Sequence, residues 1–110
     1  MTDAPALVVT RYLAAADARD SQALADCFTA DGTVSDEGVT HRGHGQIVGW
    51  REGLAAKWTY TTKVTESQPL ADGQYLGSVR VEGDFPGGVA DLRYLFALRD
   101  ELIADLSIAE

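Results

Sequence analysis

Asp36 and Tyr12 are the two residues whose types and surroundings allow chemistry. Asp36 closes the β-rich run Thr33-Val34-Ser35-Asp36 and precedes Glu37-Gly38. A carboxylate at a strand end beside a cavity mouth is poorly solvated and can shuttle protons. The same residue in Ser-Asp-Glu-Gly has a second reading, a turn former whose side chain accepts local backbone N–H groups. Tyr12 falls on the apolar face of a helical run, so its hydroxyl must find a partner inside the protein. That partner is a developing oxyanion in a catalytic site, and a buried carbonyl or another tyrosine in a structural one.

Other chemistries find little support. His41 and His44 flank Arg42-Gly43 with no carboxylate in ligand spacing, so they read as loop and helix-start residues and no metal is expected. Cys27 is the single cysteine, which excludes an intrachain disulfide and a cysteine cage for a metal. There is no Gly-x-Ser-x-Gly or Walker sequence, and the glycines of HRGHGQ lack the strand, loop and lysine of a phosphate cradle.

The elements that must position these groups come as helices first and strands afterwards. Residues 4–18 read as a helix, with Val9, Leu13 and Ala16 spaced by three and four and Tyr12 beside them. Asp20 is a candidate N-cap for a second helix whose apolar face is Leu24, Cys27 and Phe28, closed by Ala30-Asp31-Gly32. Thr33 to Asp36 is a short strand. A third helix runs from about Gly43 to Lys57, with Ile47, Trp50 and Leu54 on one stripe. Trp50 and Trp58 bracket its second half and serve either as core or as a ligand platform. Strands follow at Trp58–Thr65, Tyr75–Gly83, Val89–Leu98 and Leu102–Ile108. Tyr94, Phe96 and Leu98 share one face of the longest strand, and Asp91, Arg93, Leu95 and Ala97 share the other. The aromatic face suits a pocket wall and the mixed face a semi-polar dimer surface. Arg80 alternates with Val79 and Val81 and points either into a cavity or into solvent.

With 110 residues the chain is expected to form one domain, 1–110, with one core. Nine basic against 17 acidic residues give a net charge of −8, which excludes the basic stripe of a nucleic-acid binder and disfavours an anionic membrane. Residues 41–70 hold four basic groups (Arg42, Arg51, Lys57, Lys63) against Glu52 and Glu66, too dilute an excess to grip phosphates. The start MTDAPALVVTRY carries Asp3 and a short apolar run, so no signal peptide is expected and the setting is cytoplasmic. Helices followed by an antiparallel meander define an α+β domain with helices on one sheet face.

The run RYLAAADARDSQALADCFTADGTVSDEG, then RGHGQIVGW, then four strands, resembles the nuclear-transport-factor-2-like superfamily in its SnoaL-like and ketosteroid-isomerase-like branch. The resemblance covers nearly the whole chain and is most specific from Arg11 to Asp36. It implies a cystatin-like cone, a curved antiparallel sheet wrapped on about three helices, and a homodimer. By this resemblance Tyr12 matches the oxyanion-hole tyrosine, Asp36 the general base, and Trp50 the aromatic residue flanking that base. The second oxyanion donor of the isomerase branch, a protonated aspartate, falls near Tyr94, whose bulk would shrink the cavity. An inward Arg80 paired with Asp36, with Asp105 as a third member, would instead resemble epoxide hydrolases. Leu106 and Ile108 read as the inward residues of the last strand, which sends Asp105 outward.

The expectation is a small enzyme acting by proton transfer, without cofactor or metal, on an apolar oxygen-bearing molecule of polyketide-, terpene- or steroid-like type. Asp36 and Tyr12 are its candidate catalytic residues. Phe28, Trp50, Trp58, Arg80, Tyr94 and Phe96 are candidates for contact with the ligand. A non-catalytic binding module, an epoxide hydrolase and a filled structural dimer are the alternatives.

Overall fold

A computed structural model describes residues 7–70 and 73–109. The order is α1 (Leu7–Asp17), α2 (Ser21–Ala25), β1 (Phe28–Asp36), β2 (Val39–Arg42), α3 (Gly43–Lys57), β3 (Tyr60–Pro69), β4 (Gln74–Gly83), β5 (Val89–Arg99) and β6 (Leu102–Ala109). One six-stranded sheet runs β2-β1-β6-β5-β4-β3. This is an α+β fold, and the sheet is mixed rather than purely antiparallel, because β1 pairs parallel with β6. Register shifts in β1/β6, β3/β4 and β5/β6 curve it around the helices.

The second helix is shorter than its spacing predicts, and Phe28 belongs to a strand. Asp20 does cap α2, accepting from the Ala23 N–H at 3.0 Å. The helix stops because the Cys27 carbonyl is taken by the Ile103 N–H of β6 at 2.8 Å. From there Ala30-Asp31-Gly32 runs on in β1 instead of closing a helix. Pairing with a distant strand stops the helix of Gln22-Ala23-Leu24-Ala25 from running on through Cys27 and Phe28. The start of the first helix at residues 4–6 lies outside the described residues.

Two further elements differ. Asp36 and Val39 pair across Glu37 (φ 52°) and Gly38 (φ 79°), a tight two-residue turn that makes β1 and β2 a hairpin. His41 and Arg42 therefore lie on a strand rather than in a loop. β3 begins at Tyr60, and Trp58 instead ends α3, its N–H donating to the Leu54 carbonyl at 2.8 Å. A Cβ on Gly83 would sit 2.4 Å from the Thr59 carbonyl, so only glycine lets β4 approach the start of β3 this closely.

Side chains alternate across β4 and β5. Tyr75, Val79, Val81, Tyr94 and Phe96 are buried on the concave face, while Arg80 and Asp91 are exposed on the convex face. Beneath the sheet Tyr12 meets Phe28, Tyr94 and Phe96 edge-on at centroid distances of 6.0, 6.4 and 5.7 Å. Burial of each of these rings contributes about 1.5–3 kcal/mol, which makes this cluster the anchor of α1 on the sheet. The end of α1 is tied to β3 by Asp17, which accepts from the Thr62 N–H and hydroxyl at 3.0 and 2.9 Å.

Candidate functional site

Helix α3, the concave face of β3 to β6, the β1–β2 turn and the loop at Phe85-Pro86 enclose a cavity of about 630 Å³. Its walls are mostly apolar and aromatic: Leu54, Trp58, Tyr60, Val81, Leu92, Tyr94 and Ile108. Such a wall suits an apolar guest, with orientation left to a few polar groups. Those groups come from Asp36, Glu37, Arg51, Tyr60 and Tyr94.

Asp36 reaches the cavity because β1 ends there, beside Ile108 of β6. Its Oδ2 accepts the indole N–H of Trp50 at 3.1 Å. Trp50 is held in turn by helix burial and by the His41 ring, 5.9 Å away between centroids. One carboxylate oxygen is thus fixed by a neutral donor, while the other has no hydrogen-bond partner among the described residues.

Tyr12 is 1% exposed, and its hydroxyl has no hydrogen-bond partner among the described residues. An orphaned buried hydroxyl calls for an explanation. The groups that act on it electrostatically are Tyr94, Arg51, Tyr60 and Asp36, and all four line the cavity. Tyr12 does not itself line the cavity; its ring packs edge-on against Tyr94, which does.

Trp50, Trp58 and Tyr94 line the cavity. Phe96 and Phe28 lie behind it in the aromatic core, each 1% exposed. Arg80 is a correction: it faces away from the cavity and makes a two-point ion pair with Asp91, directly opposite on β5, at 2.9 and 3.2 Å. The Asp36–Arg80 pairing needed for epoxide-hydrolase-like chemistry does not form. Asp105 accepts from the hydroxyls of Thr33 and Ser107 on the face opposite Leu106. His44 contacts the Phe28 carbonyl through Nε2 at 2.9 Å, and no cluster that could hold a metal occurs among the described residues. Cys27 is buried and donates weakly to the Ala23 carbonyl at 3.5 Å.

Arg51 is the charged cavity residue that sequence reasoning missed. It is 7% exposed, 5.3 Å from the Trp50 ring centroid and 5.6 Å from that of Tyr60. The available signal was its position. Ile47, Trp50, Arg51 and Leu54 fall at i, i+3, i+4 and i+7, which puts a guanidinium on the buried stripe of α3.

Burial pushes the Tyr12 hydroxyl well above the ordinary phenol value, with Tyr94 adding to the effect, and burial likewise raises Tyr94 and the Cys27 thiol. For each of these acids the folded value lies above the unfolded one. Their contribution to stability is complete below the unfolded value and is lost as pH rises toward the folded one. Above about pH 10 each buried tyrosine is expected to cost stability at up to about 1.4 kcal/mol per pH unit. Urea unfolding at about pH 9 and about pH 11 checks this. The midpoint should fall, and fall less in Tyr12→Phe; equal falls in both proteins would contradict it.

A family model described as a SnoaL-like domain matches residues 9–106. The chain belongs to the SnoaL-like domain family. A Sinorhizobium meliloti protein named as a candidate polyketide cyclase is 34% identical, with a TM-score of 0.89 over 96% of this chain and 95% of that one. A Catenulispora acidiphila protein with a ketosteroid isomerase-like fold, solved with trimethylamine, is 24% identical, with a TM-score of 0.89 over 97% and 87%. A Mycobacterium tuberculosis protein solved with estradiol-17β-hemisuccinate shares the fold at 12% identity, with a TM-score of 0.79 over 93% and 89%. No curated protein matches the chain. Among the described residues of this SnoaL-like domain, no helix is long and apolar enough to cross a membrane.

Proposed function

We propose that this SnoaL-like protein is a cofactor-independent enzyme that moves a proton on an apolar, oxygen-bearing molecule of polyketide-, terpene- or steroid-like type. One observation carries the reading. A carboxylate, Asp36, lines the apolar cavity, and a buried hydroxyl with no acceptor among the described residues, that of Tyr12, belongs to a ring packed edge-on against Tyr94 of the cavity wall.

The free oxygen of Asp36 takes a proton from a carbon next to a carbonyl, and the electron pair moves onto the carbonyl oxygen. Tyr94 on the cavity wall donates to that oxygen as its charge grows, and Tyr12 joins it once the wall side chains move to let its hydroxyl reach the same oxygen. The proton then returns to another carbon (isomerase), or the enolate carbon attacks a second carbonyl whose oxygen takes that proton (cyclase), or a β-hydroxyl leaves as water with it (dehydratase). Trp50 keeps the carboxylate aimed. The relative solved with a steroid ester supports the capacity of this fold for a guest of that size. A homodimer on the convex sheet face and a cytoplasmic setting complete the reading. The net charge of −8 supports a partner other than nucleic acid.

A non-catalytic binding module is the second reading. The Trp50–Asp36 bond favours it, since it satisfies the carboxylate without a substrate. Fluorescence titration of the Asp36→Asn protein with β-naphthol, whose phenolate imitates a bound enolate, separates the two. The substitution mimics the protonated base and removes charge repulsion. Micromolar binding that is lost in the Asp36→Asn, Tyr12→Phe double variant is the expected result. No binding by a folded protein would remove the oxyanion mechanism and leave the binding module.

A further inference from the structure

Arg51 has a charge and a fork of donors that the protein itself does not use. It is 7% exposed on the cavity wall, and no carboxylate or hydrogen-bond acceptor pairs with it among the described residues. The rings of Trp50 and Tyr60, at 5.3 and 5.6 Å, ease its burial as a cation but offer no oxygen to its N–H groups. A guanidinium cannot shed its charge, and because the Tyr12 hydroxyl alone is fully buried without a partner among the described residues, the Arg51 donors keep access to the cavity. Other arginines of the chain show the contrast. Arg80 pairs with Asp91 at 2.9 Å and Arg99 with Asp31 at 3.0 Å, both in solvent where pairing matters least.

We propose that Arg51 is the anchor for a carboxylate on the ligand, so that the substrate class is an apolar keto acid, with the reacting carbonyl and a carboxylate on one skeleton. The inference rests on the reading of the cavity as a ligand site and adds the identity of its polar handle. A carboxylate matches the planar fork of a guanidinium with two parallel hydrogen bonds. Asp36 and Glu37 also line the cavity, and they disfavour a doubly charged phosphate more than a singly charged acid. Leu54, Val81 and Leu92 supply the apolar surface for the rest of the molecule. Arg51 and Asp36 line the same cavity, so an acid gripped by Arg51 shares that space with the base.

The test compares β-naphthoate with β-naphthamide, which has the same shape and no charge, by titration calorimetry on the wild-type protein. Naphthoate is expected to bind at least about tenfold tighter. That preference should collapse in Arg51→Gln and persist in part in Arg51→Lys. A variant-free readout is the Arg51 side-chain Nε–H resonance, which should shift with naphthoate and stay in place with naphthamide. Equal affinities, no binding of either compound, or a preference that survives Arg51→Gln would each overturn the proposal. The β-naphthol titration of Asp36→Asn reports on the oxyanion site separately, so loss of the acid anchor and loss of the proton-transfer reading are distinguishable.

Discussion

Tyr12→Phe is expected to make the free protein more stable and the enzyme slower. The Tyr12 hydroxyl is fully buried with no hydrogen-bond partner among the described residues. A buried polar group in that state costs about 1–3 kcal/mol. Phenylalanine keeps the ring and its edge contacts with Phe28, Tyr94 and Phe96. Removing the oxygen should therefore raise the melting temperature by at least about 4 °C. If the hydroxyl donates to a developing oxyanion, its loss should also slow the chemical step by about 10²–10³-fold. A core tyrosine of purely structural value predicts the opposite pattern, lower stability with turnover unchanged. Thermal melts and a proton-exchange assay on one preparation distinguish the two. A fall in melting temperature would mean that the hydroxyl has a partner.

The largest effect is expected at Asp36. Asp36→Asn keeps the shape, and its amide oxygen still accepts from the Trp50 indole, so the β1–β2 hairpin and the cavity should survive. What is lost is the ability to take a proton. General-base catalysis is worth about 10²–10⁴-fold, and the rate of deuterium exchange next to the ketone of bound β-tetralone should fall by that factor. Affinity for the ketone should hardly change, because Asp36 supplies little of the apolar surface. A loss confined to the chemical step supports a base; a loss confined to affinity supports a binding module.

Much of this arrangement was legible in the sequence, and what was not has identifiable causes. The Asp20 cap and the Ile47-Trp50-Leu54 stripe are local signals, and both appear in the fold. Alternation placed Val79 and Val81 on one face and Arg80 on the other, but not which face was concave, since that depends on strands far away in sequence. Phe28 was misplaced because Leu24 and Phe28 keep helical spacing, while the bond from Ile103 to Cys27 that ends the helix crosses most of the chain. The four-residue strand at Val39–Arg42 has no apolar alternation and exists through pairing with β1. Arg51 stayed hidden because a charge on a helix reads as a solvated face. Its burial between two aromatic rings is a tertiary property. The contact of Asp36 with Trp50 joins the end of β1 to the middle of α3, which neither segment signals alone.

The central claim is that this cavity transfers protons at carbon. The most direct measurement is deuterium incorporation into β-tetralone by the wild-type protein in heavy water, followed by NMR against a protein-free control. Exchange well above the control, saturating with ketone and disappearing in Asp36→Asn, is the expected result. Exchange equal to the control, with the ketone shown to be bound, would contradict it.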